Sequence, residues 1–216
     1  MLPLLLALVA SYLLGSVPAA FLVARAKGID LRAVGSGNVG ATNVVRACGK
    51  AWGIGVFLFD CLKGFVPAFL FARVLVESGR TPLSPDATAL LLGTAAIVGH
   101  VFPVWLRFKG GKGVATSAGM CAGLCWPAAL LALLAWYGVL RVSRYVSVAS
   151  MVAAILFPAI FVAWVGPEAA FGERRLVTGL SIVLALLILY LHRANIGRLR
   201  RGEELRIGAK TERQTR

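Results

Sequence analysis

Six long stretches of this chain carry almost no charge, and that alone drives it toward helices in a bilayer. No Asp, Glu, Lys or Arg occurs from Met1 to Ala24, Ala87 to Leu106, Gly113 to Leu140, Tyr145 to Pro167 or Leu176 to Leu191; Ala51 to Ala72 is interrupted only by Asp60 and Lys63. A helix needs about 20 predominantly apolar residues to cross the hydrocarbon core, so most of these stretches qualify and the last is marginal. Hydrophobic side chains make up 59% of the 216 residues before any of the 24 glycines is counted, against about 45–50% with glycine included in soluble domains. A soluble globule of this size has too little interior to hide that surface. Intrinsic disorder, a collagen-like repeat and a small disulfide scaffold are excluded by the same figures. What remains is an all-α, polytopic integral membrane bundle, formed as a single domain over residues 1–216.

Charge placement then predicts a topology. The net charge is +14, and most of the basic residues lie between Arg25 and Lys50, between Arg107 and Lys112, and in the tail beyond His192. The positive-inside tendency puts all three in the cytoplasm. The first apolar run has no basic residue ahead of it and is too long for the apolar region of a secretory signal, so it reads as a retained helix. Arg25, Lys27 and Arg32 follow it, which sets the N-terminus outside. Between Lys112 and His192 the chain must cross an even number of times, yet three apolar segments lie there. Gly113 to Leu140, interrupted at Trp126-Pro127, restores parity as two short helices, because proline removes a backbone donor. About seven transmembrane helices follow, some short, with the C-terminus cytoplasmic. Arg174 and Arg175 then fall on the disfavoured side, and one re-entrant segment would satisfy parity with five spans.

The four cysteines, Cys48, Cys61, Cys121 and Cys125, show no CxxC spacing and only two histidines accompany them. No metal site and no cofactor are expected from that pattern. Cys121 and Cys125 share a helix face as small packing residues.

Chemistry is concentrated in the loops. The first cytoplasmic loop runs Gly35-Ser36-Gly37-Asn38-Val39-Gly40-Ala41-Thr42-Asn43-Val44-Val45-Arg46. Gly35, Gly37 and Gly40 spell GxGxxG, but the dinucleotide fingerprint needs a strand before it and a βαβ unit around it, and here the motif lies between membrane helices. Its physics survives: glycines let N–H groups converge on an anion, Ser36, Asn38, Thr42 and Asn43 add polar groups, and Arg46 supplies a guanidinium. A flexible polar turn is the plainer alternative. The second loop, Arg107-Phe108-Lys109-Gly110-Gly111-Lys112-Gly113-Val114-Ala115-Thr116, is not a P-loop, because Gly113 follows Lys112 where Ser or Thr is required. Lysines on a glycine backbone at a helix start still suit an anion; topological anchoring explains the lysines but not Gly110, Gly111 and Gly113.

Three further features are open to two readings each. His100, near the inner end of its helix, is a catalyst or a packing residue. Asp60 and Lys63, three positions apart within a span, are a functional pair or a mutually satisfied structural one. The tail, with His192, Asn195 and a run of arginines ahead of Glu204, attracts anionic headgroups, although that does not account for Asn195. Together the loops imply a site for phosphorylated ligands at one membrane surface.

Three runs carry a resemblance to a known family: Gly35 through Asn43 to Arg46, Gly99-His100-Val101-Phe102-Pro103 leading into Lys109–Thr116, and His192-Arg193-x-Asn195-Ile196-x-Arg198-Leu199. In matching order over nearly the whole chain, they resemble the bacterial acyl-phosphate:glycerol-3-phosphate acyltransferases, the PlsY family. The resemblance implies transfer of an acyl group from a fatty acyl phosphate to the sn-1 hydroxyl of glycerol 3-phosphate. Lysophosphatidic acid and inorganic phosphate are the implied products, made at the cytoplasmic face of the bacterial inner membrane. Carried over by motif, Ser36, Arg46, Lys112, His100, His192 and Asn195 are expected in catalysis. Gly35, Gly37, Asn38, Gly40, Thr42, Asn43, Lys63, Lys109, Gly110, Gly111, Gly113, Thr116 and Glu204 are expected around the substrates. The expected partners are the two substrates and membrane lipid, with no nucleic acid.

The His-x4-Asp pair of unrelated glycerolipid acyltransferases is absent, since Trp105 and Gly197 stand five positions after His100 and His192. An acyl phosphate carries its own leaving group, so positioning and oxyanion donors can carry the reaction, with a substrate phosphate oxygen taking the proton. His100 or His192 as base is the competing version. A transporter for phosphorylated metabolites is the chief rival class, but no inverted repeat is visible. A CDP-alcohol transferase would need a carboxylate-rich metal motif that nine acidic residues do not form. For a nucleic-acid binder the positive charge follows topology too closely.

Overall fold

A computed structural model describes residues 1–208, and every regular element in them is helical. The chain enters through α1 (Leu2–Ser16) and α2 (Ala19–Ala26), separated at Val17-Pro18. The loop after α2 leads to α3 (Ala41–Cys48), then α4 (Lys50–Phe65), which passes through a π-helical turn at Val66–Phe71 into α5 (Ala72–Glu77). Pro67 in that turn withdraws a backbone donor, and the wider i→i+5 geometry absorbs the defect without ending the helix. α6 (Pro85–Val101) follows, with Ser84 Oγ accepting from the Ala87 N–H at its start.

Beyond the second loop come α7 (Val114–Leu124), α8 (Trp126–Ser143), α9 (Val146–Val165), the short α10 (Pro167–Phe171), α11 (Arg175–Leu191) and α12 (Arg193–Arg200). Positions 209–216, the last part of the basic tail, lie outside the described residues.

Five helical segments are long and apolar enough to cross a membrane: Leu2–Ala26, Lys50–Glu77, Pro85–Leu106, Trp126–Ser143 and Val146–Val165. A sixth is reached if Arg175–Leu191 and Arg193–Arg200, bent by 52°, count as one. The expected division of Gly113–Leu140 is present, with Cys125 extended between α7 and α8. α7 has 11 residues, about 16 Å of helix, half of the roughly 30 Å hydrocarbon core. Against the expected count of about seven, five or six helical segments are thus long enough to span, and α7 is a shorter apolar helix beside them.

α7 can be short because it lies inside the bundle, enclosed by α4, α6 and α8. Its contact with α4 is backbone on backbone: a Cβ at Gly64 would stand 1.9 Å from the Thr116 carbonyl oxygen, and one at Gly119 would stand 1.9 Å from that of Cys61. Such close approach is what small residues permit where no hydrophobic effect drives helices together. Leu58, Leu134 and Leu186 are more than half exposed, whereas Ser11, Ser16 and Thr116 are fully enclosed. That inside-out distribution fits a lipid-facing exterior. Arg174, the exception to the charge rule, is neutralised: its guanidinium forks onto both Asp86 oxygens at 2.9 Å and donates to the Leu124 carbonyl at the end of α7.

Candidate active site

The first loop is built around Asn43, whose side chain is 1% exposed. Its Oδ1 accepts the Ser36 N–H at 3.1 Å, and its Nδ2 donates to the Leu31 and Val34 carbonyls at 2.9 and 3.0 Å. Asn43 was expected on a substrate; it is instead the staple that shapes the loop, and both of its amide hydrogens are spent. Gly35, at φ 58°, passes so close that a Cβ would fall 2.3 Å from Asn43 Oδ1. Ser36, Asn38 and Thr42 line the half-buried rim of this loop, with Gly37 and Gly40 between them.

The second loop hangs from the end of α6. Arg107 and Phe108 adopt φ of 53° and 62°, a costly conformation for side chains of that size. Hydrogen bonds from Phe108 N–H to the Pro103 carbonyl and from Lys109 N–H to that of Leu106 hold the turn. Gly110 and Gly111 N–H groups donate to the Val101 and His100 carbonyls at 3.0 and 3.1 Å. Gly113, at φ 73°, opens α7. The two loops touch where Arg32 Nη2 donates to the Lys109 carbonyl at 3.3 Å. The Lys109 side chain itself is exposed.

Lys112 is the point of convergence. Its ammonium donates to Asn195 Oδ1 on α12, and Asn195 Nδ2 donates to Glu204 Oε1 at 2.6 Å. Ser147 Oγ, at the start of α9, donates to the same oxygen at 2.7 Å, and Arg198 Nε donates to Oε2 at 2.8 Å. Arg46, from α3, donates to the Leu205 carbonyl at 2.9 Å. All three sequence motifs thus meet in one cluster, tied by contacts up to 159 positions apart. Glu204, expected to bind substrate, faces inward as an acceptor hub, and a carboxylate would in any case repel phosphate.

The charges are tuned by this packing. Burial holds the Lys112 ammonium down at about 8, with Glu204 raising it and Arg198 and Arg46 lowering it. Arg46 is also lowered, chiefly by burial, yet a guanidinium remains charged. Burial alone would raise the Glu204 carboxyl, but donation from Asn195, Ser147 and Arg198 leaves it below its ordinary value. Three cations against one carboxylate leave an excess that suits a phosphate dianion.

The two histidines differ. His192 Nδ1 lies 2.8 Å from the Ile188 carbonyl and so carries the proton, leaving Nε2 as an acceptor in a side chain that is 3% exposed. His100, expected in catalysis, is wedged behind the second loop: Nδ1 is 3.7 Å from Asp60 Oδ1, and a Cβ on Gly111 would fall 2.2 Å from Nε2. The ring thus lies between Asp60 and the Gly111 backbone. Lys63, expected on a phosphate, is committed to Asp60 Oδ1 and to the Val17 carbonyl, each at 2.9 Å. Thr116, likewise expected near substrate, is fully buried in the α4–α7 contact.

Ser147 was not singled out from sequence. A serine in an otherwise apolar helix carries no local signal, and its partner is 57 positions away. Nor did the sequence reading single out an apolar groove between α7, α8, α9 and α11. Val114, two residues after Lys112, is part of its wall, and small side chains such as Ala118, Ala132, Ala154 and Ala185 make room for it. Among the described residues no three His, Cys, Asp or Glu side chains gather as potential metal ligands.

Comparison with known proteins agrees with this geometry. The family model described as Glycerol-3-phosphate acyltransferase matches residues 5–202. A glycerol-3-phosphate acyltransferase of Geobacter sulfurreducens is 44% identical over 92% of this chain and 95% of its own length. One of Aquifex aeolicus is 43% identical over 91% and 95%. Two crystal structures of PlsY, an integral membrane glycerol 3-phosphate acyltransferase, superpose on it. The glycerol 3-phosphate form gives a TM-score of 0.80 at 41% identity, covering 95% of this chain and 96% of that one. The lysophosphatidic acid form gives 0.77 at 40%, covering 95% of each. With the three motifs gathered on one cationic cluster beside an apolar groove, and with likeness of this extent, the chain belongs to the glycerol-3-phosphate acyltransferase family of integral membrane proteins.

Proposed function

We propose that this protein transfers the acyl group of a fatty acyl phosphate to the sn-1 hydroxyl of glycerol 3-phosphate, releasing lysophosphatidic acid and inorganic phosphate. The observation that carries this reading is the adjacency of two unlike features: the Lys112–Asn195–Glu204 cluster, and the apolar groove whose wall includes Val114. A ligand filling both has a phosphate head and a long hydrocarbon chain, which describes the donor and the product alike. The solved relatives were captured in glycerol 3-phosphate and lysophosphatidic acid forms, which supports the same pair of ligands here.

In the proposed reaction the sn-1 oxygen attacks the acyl carbonyl, the carbon–oxygen bond to phosphate breaks, and the hydroxyl proton passes to a phosphate oxygen. Lys112, Arg46 and Ser36 hold the phosphates and offset the charge that builds on the carbonyl oxygen. Removing one such donor typically costs ~10²–10³ in turnover. Because the leaving group is already activated, no side chain has to take the proton. The burial of His100 against the Gly111 backbone favours that version over a base at His100.

The positive-inside tendency of the basic loops and tail supports a cytoplasmic site with the N-terminus outside, in the inner membrane of a bacterium. The test is direct: detergent-solubilised protein is mixed with palmitoyl phosphate, and phosphate release and lysophosphatidic acid are followed with and without glycerol 3-phosphate. One-for-one formation of both products only when glycerol 3-phosphate is present is expected. Phosphate release independent of the acceptor, or vesicle uptake of glycerol 3-phosphate without acylation, would overturn it. Near wild-type turnover in His100→Gln and His192→Gln is expected, and loss of several orders of magnitude in either with binding intact would establish a histidine base.

A further inference from the structure

The Asp60–Lys63 pair and His100 lie outside the cluster just described, under the second loop and beside the break in the first span. Breaking a helix at depth frees carbonyls that no water can satisfy. Pro18, with no N–H, makes that break permanent, and Lys63 Nζ takes up the Val17 carbonyl at 2.9 Å. An ammonium there is expensive unless paired. Asp60, one turn earlier on α4, pairs it at 2.9 Å, and the two side chains are 4% and 2% exposed.

The same carboxylate oxygen faces His100 Nδ1 at 3.7 Å, and the far edge of that imidazole abuts the Gly111 backbone. The His100 carbonyl meanwhile holds the Gly111 N–H at 3.1 Å. The next residue is Lys112. A small cavity of mixed lining, with Asp60, Lys63, His100, Gly110 and Gly111 on its wall, joins these groups, and the enclosed Ser16 hydroxyl beside them has no hydrogen-bond partner among the described residues.

We infer that Asp60 and Lys63 are positioning residues for the acyl-transfer reaction: through His100 they set the Gly110–Gly111 backbone and hence where the Lys112 ammonium stands. The inference rests on Lys112 holding a substrate phosphate, as proposed above. A pair that only balanced charge would be replaceable by two apolar side chains of similar volume, which is often neutral or stabilising. A positioning pair is not, because the Val17 carbonyl and the His100 ring lose the groups that locate them.

The experiment is the double variant Asp60→Leu/Lys63→Met, alone and combined with Lys112→Met, assayed for acyl transfer against varied glycerol 3-phosphate beside a thermal melt in detergent. Expected is a cooperative melt, lowered by a few degrees through the stranded Val17 carbonyl, and a KM for glycerol 3-phosphate raised at least ~10-fold, since small misplacements of a positioning group are costly. In the Lys112→Met background no further rise is expected, because residues that act through one another are non-additive. An unchanged KM, or an effect that multiplies fully with Lys112→Met, overturns the inference. Should the double variant fail to fold, the isosteric Asp60→Asn is read by the same two criteria. Failure of the wild type to acylate glycerol 3-phosphate would instead strike the parent reading, so the two failures are distinguishable.

Discussion

Raising the pH should remove the charge on Lys112 well before any ordinary lysine titrates, and substrate affinity should follow it. Burial brings that ammonium to about 8 in the unliganded protein, against a usual 10.5. If only the charged form holds phosphate, apparent KM for glycerol 3-phosphate scales as one plus the ratio of neutral to charged Lys112. The ratio is small at pH 7, about one at pH 8 and about ten at pH 9. KM should therefore double near pH 8 and rise about tenfold per unit beyond it. Below pH 7 the second ionisation of the substrate phosphate, near ~6, imposes the opposite limb. The assay is initial-rate phosphate release from palmitoyl phosphate between pH 6 and 9.5 at constant ionic strength, with an enzyme-free blank subtracted. Lys112→Arg supplies the control, because a guanidinium stays charged throughout; its KM should start higher, from lost geometry, but show no alkaline rise. A wild-type KM that stays flat to pH 9.5, or an alkaline limb that persists in Lys112→Arg, would refute the assignment of Lys112 as the phosphate-holding charge.

Three other outcomes follow from the geometry. Glu204→Gln removes the ionised acceptor of three hydrogen bonds, each worth ~1.5–3 kcal/mol to a charged group and not fully additive; a markedly lower melting temperature and an alkaline limb shifted below pH 8 are expected, and an unchanged melt would contradict the hub role. Ala154→Phe fills the groove between α7, α8, α9 and α11. At ~0.8 kcal/mol per buried methylene, excluding four of them costs a palmitoyl donor on the order of 100-fold in kcat/KM; equal loss with a two- to four-carbon acyl phosphate would show that the groove does not hold the chain. Arg174→Met strands Asp86 and the Leu124 carbonyl, at a cost of ~2 kcal/mol, read as a drop of about 4–8 °C in melting temperature with KM values unchanged.

What the sequence disclosed and what it hid divide along the range of the interactions. The uncharged runs declare membrane helices, and Pro127 beside Trp126 announces the separation of α7 from α8, because these depend on neighbours in the chain. The meeting of the two glycine-rich loops with the tail was inferable from charge, since three cationic segments on one membrane face have little else to do. The roles inside that meeting were not. Asn43 and Glu204 both look like ligand-binding polar residues in a motif, yet Asn43 turns back on its own loop and Glu204 collects donors from α9 and α12. Ser147 had no motif to mark it. For Lys63 the sequence left two readings, and its Val17 carbonyl partner, 46 positions away, leaves no local signal. For His100 the sequence left catalyst and packing residue open, because spacing does not say that the ring lies against Asp60 and the Gly111 backbone.

The central claim is that Arg46, Lys112 and Asn195, brought from three distant segments, grip a phosphorylated substrate together. A crystal structure of this protein soaked with glycerol 3-phosphate measures that directly. The phosphate is predicted within hydrogen-bond reach of Lys112 Nζ and on the Arg46 side of the cluster, with the sn-1 hydroxyl directed toward the groove wall at Val114. A phosphate bound at the opposite end of the bundle, or one held without Lys112 and Arg46, would contradict the account.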